Sequence, residues 1–208
     1  QEREIHGCRL VSVRSAEENQ VVLDQLTSWL KLHPVLARST PELAGVRNGY
    51  ADYTKLGMDR WLALVAGYHL CRRACVVIDL GTAVTVDFVN AGGQHLGGYI
   101  APGSKLLRGS LKRHTRLIRY EQSLRGDLAT PRPGDSTAEA VEFGCDLMLV
   151  GFVQEQLRVA RQTLGDEMVV ILTGGDAERM AEALPQSCHI ISDLVFDGLA
   201  LACPMEID

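Results

Sequence analysis

The chain has 208 residues, a formal charge of −5, 46% hydrophobic and 23% charged residues. That is enough for one substantial core or two small lobes, in the composition range of a soluble globular protein. The acidic balance and the lack of a basic stripe argue against a nucleic-acid partner; no apolar run is long enough for a membrane span, and the first residues do not resemble a signal peptide, so no membrane partner is expected.

Arg9 to Val13 reads as a strand. Ser15-Ala16-Glu17-Glu18 forms a capping box and opens a helix with Val21, Val22, Leu26 and Leu30 on one face. Thr40 to Tyr53 holds Pro41, Gly45 and Gly49, and reads as a loop of the kind that carries function. A helix starts near Met58 and runs through Trp61, Leu62, Leu64, Val65 and Leu70 to Arg72-Arg73, whose charge suits a helix C-terminus.

Val76 to Asp87 is the most informative stretch. Val76, Val77 and Ile78 form a short β-branched run, and Val84, Val86 and Phe88 alternate with Thr85 and Asp87 at period 2. Between the two strands, Gly81 lets backbone approach a ligand, so its N–H and those of Thr82 and Ala83 can point at phosphate oxygens. Asp79 closes the first strand, placed to hold a cation or a water near that anion. Walker A loops and dinucleotide fingerprints run from a strand into a helix and need a longer glycine spacing. A strand-turn-strand phosphate loop instead belongs to actin-like and sugar-kinase ATPases, although an ordinary hairpin can carry the same residues.

A second turn follows at Asn90-Ala91-Gly92-Gly93, and a third strand leads to a turn over Gly97 to Gly103. A helix from about Ser104 to Leu117 carries the densest basic stretch, Lys105 to Arg119 with Arg108, Lys112, Arg113 and Arg116, read as a solvated helix face. The polar loop Tyr120 to Asp135 is the segment expected to be most mobile. Ser136-Thr137-Ala138-Glu139 is a second capping box, opening a helix that reaches about Leu164. A strand from Met168 to Leu172 ends in Thr173-Gly174-Gly175-Asp176, followed by a short helix, a strand near Ile190 and an apolar helix from Leu194 to Cys203. Interleaved strands, helices and glycine turns make an α/β chain.

The six cysteines form no CxxC pair and read as free thiols in a reducing cytoplasm. His95 and His114 lie near the suspected site and read as surface or packing residues. Leu56-Gly57-Met58-Asp59-Arg60-Trp61 places an acid and a base at a helix start. Asp59 could be only a first-turn carboxylate favoured by the helix dipole, or the acceptor of a substrate hydroxyl proton during phosphoryl transfer. Arg60 would then pair with an anionic group of the substrate or neutralise the transferred phosphoryl.

In order, Asn48-Gly49-Tyr50, Gly57-x-Asp59-Arg60, Asp79-x-Gly81-Thr82-Ala83-x-Thr85-x-Asp87, Gly97-Gly98-x-Ile100-x-Pro102-Gly103 and Ser136-Thr137-Ala138-Glu139 resemble the type III pantothenate kinases over Cys8 to Pro204. The resemblance implies a two-lobed actin-like ATPase (ribonuclease H-like) fold with mixed sheets flanked by helices. Residues 1–73 would belong to the N-terminal lobe and 74–208 to the C-terminal lobe, the final helix packing between them. It implies transfer of the ATP γ-phosphate to the hydroxyl of pantothenate, the first step of coenzyme A synthesis, by a cytoplasmic homodimer using Mg²⁺ and potassium or ammonium. Asp59 becomes the proton acceptor; Tyr50, Gly57, Met58, Asp59, Arg60 and Thr137 become pantothenate contacts. Gly81 and Thr82 become ATP contacts, and Asp79 the monovalent-cation ligand. The Gly97 to Gly103 turn would wall the substrate, with Thr173-Gly174-Gly175 near the nucleotide.

Such kinases open with a hairpin carrying Asp-x-Gly-Asn, a first phosphate loop for Mg²⁺ and ATP, and nothing like it precedes Cys8. Residues 1–208 alone are therefore expected to bind ATP weakly, and the first lobe to expose a sheet edge near Arg9 to Val13. Two other readings stay open: an accessory or transcription-regulatory protein of the same fold that no longer turns over ATP, and a kinase for another small hydroxy acid. Asp59, Arg60, Asp79 and Thr82 together favour the enzyme, because a scaffold has no need of a base beside a phosphate turn.

Overall fold

The computed structural model describes residues 5–115, 118–119, 127–185 and 187–205. Chain order begins with β1 (Arg9–Leu10), α1 (Ala16–Leu30), β2 (Val35–Leu36), β3 (Glu42–Leu43) and β4 (Val46–Arg47). Next come a 3₁₀ turn at Tyr53–Lys55, α2 (Met58–Cys71), β5 (Cys75–Leu80), β6 (Ala83–Val89), β7 (His95–Pro102) and α3 (Ser104–His114). The last elements are α4 (Thr137–Leu164), β8 (Val169–Thr173), α5 (Ala177–Glu182), β9 (His189–Ile190) and α6 (Leu194–Ala202). This is the expected α/β chain, with a mixed sheet flanked by helices.

The main sheet has five strands in the order β7-β6-β5-β8-β9. The strands β5, β6 and β7 form an antiparallel meander, and β8 and β9 add to β5 in parallel. Both faces are covered. Cys75, Val77, Val89 and Ile171 share a core with Trp61, Leu62, Leu64 and Val65 of α2 and Leu194 and Leu199 of α6. Val76, Ile78, Leu80, Val84, Val86 and Leu172 face Leu149, Val150, Val153 and Leu157 of α4 instead. Because side chains alternate across a strand, Asp79, Thr85 and Asp87 lie on the α2 face. The expected lobe boundary at 73–74 falls between α2 and β5, whose residues share the first of these cores.

The α1 capping box is present: Ser15 accepts from the Glu18 N–H, and the Ser15 N–H donates to Glu18. Val22, Leu26 and Leu30 are half-buried, whereas Val21 is exposed. Several expectations need correction. The strand over Arg9 to Val13 shortens to Arg9–Leu10, paired in parallel with β2. The Thr40 to Tyr53 loop contains a small hairpin of β3 and β4, because Ala44 and Gly45 at its tip both take positive φ. At Ser136 only half the capping box forms. Ser136 accepts from the Glu139 N–H, but Glu139 accepts from Asp135 N–H and from Arg132, whose guanidinium outcompetes the cap.

The Gly97 to Gly103 segment is strand through Pro102 rather than a turn, because β6 pairs with it from Gly98 to Pro102. The helix expected over Ser104 to Leu117 ends at His114, and residues 116–117 and 120–126 of the expected helix end and mobile loop lie outside the described residues. The basic stretch is not wholly a solvated face. Arg108 is buried, its Nη2 2.6 Å from Asp146 and its Nε 2.5 Å from Glu142, both on α4. No helix among the described residues is long and apolar enough to cross a membrane.

Candidate active site

The parallel pair β5 and β8 ends with Asp79 opposite Thr173. In open α/β sheets, ligands bind outside the carboxyl ends of such strands. Three glycine-bearing segments meet there. The Gly81-Thr82 turn joins β5 to β6 and is exposed. Gly103 N–H donates to Thr82 O at 3.0 Å, and a Cβ on Gly103 would lie 2.3 Å from Gly81 O. Gly174 has φ +88°, where a side chain would sit 2.5 Å from Asp79 Oδ1 and 2.7 Å from Leu80 C. Asp176 N–H donates to Leu80 O at 3.2 Å, and Ser104 Oγ donates to Asp176 Oδ2 at 2.9 Å. The start of α3 and the loop after β8 are thereby fastened to the turn.

Gly81 differs from those two. Its φ is not positive, and an added Cβ would meet only ordinary contacts, 3.5 Å from Asp79 Oδ1 and 3.7 Å from Ala83 O. The fold itself does not require glycine at this position. The three backbone donors expected to face phosphate are reduced by one, because Gly81 N–H donates to Ala83 O at 3.1 Å within the turn.

Asp59 lies in the first turn of α2, half-buried, its Oδ1 accepting from Arg60 N–H at 2.9 Å. Gly57 caps the helix, and a Cβ there would lie 2.8 Å from Asp59 Oδ1, so glycine leaves room for the carboxylate. Asp79 has no hydrogen-bond or ion-pair partner among the described residues. Burial pushes its carboxyl above the ordinary range, and the negative charge of Asp59 adds to the shift. Two neighbouring carboxylates without a cationic partner have the chemistry to take up a cation or a proton. Among the described residues no group of three His, Cys, Asp or Glu side chains could hold a metal ion by itself.

Arg60 points to a second carboxylate. Its Nε donates to Asp87 Oδ2 at 2.9 Å, its Nη2 to Asp87 Oδ1 at 2.6 Å and its Nη1 to Tyr50 Oη at 2.9 Å. Arg60 and Asp87 are both buried. Tyr50 is half-buried and lines an open depression with Phe88, Leu96, Gly97, Gly98, Tyr99, Val159 and Thr163. Met58 is 8% exposed and packs in the core, which leaves only its backbone to face a ligand. Tyr50, Gly57, Asp59, Arg60, Asp79, Gly81 and Thr82 thus gather around the N-terminus of α2 and the ends of β5 and β6. Thr137 does not join them. It is exposed at the first turn of α4, about 33 Å along that helix from Val159 in the Tyr50 depression, at about 1.5 Å per residue.

His95, expected at the surface or as packing, is buried, with Nε2 2.9 Å from Asp87 Oδ1. No local motif assigns either His95 or Asp87 a role in the site. A more enclosed cavity of about 150 Å³, lined by Leu128, Pro131, Arg132, Phe143, Asp146 and Leu147, touches none of these groups.

Comparisons with known proteins give the family. Residues 1–159 match the family described as Type III pantothenate kinase. A curated Type III pantothenate kinase of Pseudomonas aeruginosa is 55% identical over 203 residues, 97% of this chain and 82% of the relative. One from Pseudomonas syringae pv. syringae is 56% identical over 201 residues, 96% of this chain and 80% of the relative. A crystal structure from Campylobacter jejuni, described as a Baf family transcriptional activator, is similar at a TM-score of 0.57 and 19% identity. It covers 94% of this chain and 82% of its own, and at that identity it supports the fold alone. By its family match and by identity along nearly its whole length, the chain belongs to the type III pantothenate kinase family.

Proposed function

We propose that the protein phosphorylates the hydroxyl of pantothenate with ATP, giving 4′-phosphopantothenate in the first step of coenzyme A synthesis. The observation that carries this reading is the Asp59–Asp79 pair of carboxylates, without a cationic partner, beside the exposed Gly81-Thr82 turn, in a chain of this family. The substrate hydroxyl oxygen bonds to the γ-phosphorus as the bond to the β–γ bridging oxygen breaks, ADP leaves, and the hydroxyl proton passes to Asp59. Such transfers depend on position and charge more than on basicity. Glycine at 81, which the fold does not need, suits close approach of phosphate to Thr82 and the turn. Arg60 and Tyr50 suit the anionic end of pantothenate. Mg²⁺ arrives with the ATP phosphates.

Incubating the full-length gene product with ATP and pantothenate tests this directly: phosphopantothenate should form. No product over a range of Mg²⁺ and potassium concentrations would overturn the reading in favour of an accessory protein without turnover. Asp79 serves in the same reading as the ligand of a monovalent cation, a role that suits a buried carboxylate lacking an internal counter-charge. Rates should rise with potassium or ammonium and far less with sodium. Burial and Asp59 raise the Asp79 pKa, so its protonated form persists to higher pH than an ordinary carboxyl's. The cation needs the ionised form; its half-maximal concentration should therefore increase as pH falls. Equal rates in all three salts at matched ionic strength would refute the assignment.

Thr137 enters this reading only through a second copy of the chain. Its distance from the Tyr50 depression along α4 prevents both from touching one pantothenate within one chain. A homodimer in which Thr137 of one copy faces the pocket of the other resolves this, and Leu147 and Met148 on α4, 56% and 63% exposed, supply apolar surface for it. Asp59→Asn and Thr137→Arg chains should each be inactive alone. Mixed from unfolded chains they should recover roughly a quarter of wild-type activity, because half of random pairs are mixed and each holds one intact site. No recovery in a verified mixed dimer would refute shared sites. The two-lobed actin-like arrangement with lobes at 1–73 and 74–208, and a cytoplasmic location suited to six free thiols, belong to the same proposal.

A further inference from the structure

Tyr50, Arg60, Asp87 and His95 form a closed ring of contacts. Arg60 bonds both Asp87 oxygens and the Tyr50 hydroxyl. His95 Nε2 reaches Asp87 Oδ1 at 2.9 Å, and Gly49 N–H donates to His95 Nδ1 at 3.3 Å. The His95 ring stacks on Tyr50 at 6.0 Å between centroids and 13° between planes, and the Arg60 guanidinium lies 5.8 Å from the Tyr50 centroid. Arg60, Asp87 and His95 are 6%, 2% and 1% exposed.

This arrangement fixes a tautomer. The Gly49 N–H needs a lone pair on Nδ1, so the proton sits on Nε2 and is donated to Asp87. The ring then holds one positive and one negative charge, and His95 is neutral. The backbone is shaped around it. The β6–β7 pairing shifts register between Asp87 and Val89, a bulge of the kind that re-aims a side chain. A Cβ on Gly98 would lie 2.7 Å from Asp87 Oδ1, and one on Gly49 2.1 Å from His95 O. Glycine at both positions makes room for the ring. Of the five N–H groups of Arg60, three are taken within it. Two remain, one on each terminal nitrogen.

We propose that His95 and Asp87 are positioning residues for substrate: Asp87 locks the plane of the Arg60 guanidinium, and His95 holds Asp87 and the Tyr50 ring. The two spare N–H groups of Arg60 and the open side of Tyr50 are thereby presented in one fixed orientation to a carboxylate-bearing substrate. This rests on the reading of Arg60 and Tyr50 as pantothenate contacts.

Two substitutions divide the roles of His95. In His95→Gln the amide nitrogen occupies the Nε2 position and can still donate to Asp87. In His95→Asn the amide oxygen occupies the Nδ1 position and can still accept from Gly49, but nothing reaches Asp87. His95→Asn should raise the pantothenate KM about tenfold, the scale of one hydrogen bond to a charged group, with kcat and the ATP KM within about twofold. His95→Gln should restore the KM to within about threefold of wild type. A melting temperature lowered in both variants without this KM difference, or KM values for ATP and pantothenate raised together, would overturn the proposal.

A second readout needs no turnover. The Arg60 Nε–H resonance, identified by its loss in Arg60→Lys, should exchange slowly in wild type and in His95→Gln and broaden in His95→Asn. If wild type makes no phosphopantothenate, the functional reading fails while this resonance still decides the ring. An Arg60 signal unchanged in His95→Asn would refute it.

Discussion

Asp59→Asn should lower kcat for pantothenate phosphorylation by about 10²–10⁴-fold, the usual loss on removing a general base. The melting temperature and the pantothenate KM should stay close to wild type, because Asn keeps the shape and can still accept from the Arg60 N–H that Asp59 Oδ1 now accepts from. The variant also separates two roles that a neighbouring carboxylate pair could share. If Asp59 takes the proton and Asp79 holds the cation, Asp59→Asn keeps a potassium response on its residual rate, whereas Asp79→Asn loses that response. Removing the Asp59 charge also removes one of the two causes of the raised Asp79 pKa. The potassium needed at a given pH below neutrality should therefore fall slightly in Asp59→Asn. Near-normal kcat in this variant would exclude Asp59 as the proton acceptor.

The helices α1, α2 and α4 and the β5–β6 hairpin were legible because capping residues, charge and apolar period agreed along each of them. The Gly97 to Gly103 strand was not, because glycine and proline are turn signals, and only β6 as a neighbour makes them edge-strand residues. Most of the site could be read from ordered motifs, yet the partners of those motifs could not. The alternation of Val84, Val86 and Phe88 with Thr85 and Asp87 suggests one wet face. The α2 helix covers that face, which turns Asp87 from a solvated carboxylate into the buried partner of Arg60. His95 and Gly49 meet across 46 residues of sequence, and no local spacing encodes such a contact. A signal was present all the same: Gly49 and Gly98 lie beside this ring, in segments already marked for function, and glycine there admits a close approach. Arg108 follows the same rule, since a run of basic residues looks solvated until an acidic helix face packs on it.

That last contact carries a large expected effect on stability. Arg108 on α3 lies between Glu142 and Asp146 of α4, and Asp146 is also paired with Arg179 of α5. Glu142 and Asp146 are 1% and 3% exposed, so two cations and two anions balance in a dry place. Arg108→Met removes the guanidinium that both buried carboxylates share, a loss of about 3–5 kcal/mol for a broken buried pair. Against a total stability of about 5–15 kcal/mol, that should move the urea midpoint far down or leave the chain unfolded. The double change Arg108→Met with Glu142→Leu removes one charge of each sign and leaves Asp146 paired with Arg179. It should be distinctly more stable than Arg108→Met alone, because replacing a buried pair by apolar groups is often neutral. Urea unfolding of the three proteins side by side decides the point. A single variant within about 1 kcal/mol of wild type would assign the network no more than the value of a surface pair. The same network ties α3 and α5 to α4, and Ser104 at the start of α3 donates to Asp176, the cap of α5, beside the Gly81-Thr82 turn. Folded Arg108→Met protein should accordingly show a raised KM for ATP, because the wall behind the phosphate turn has lost its anchor on α4.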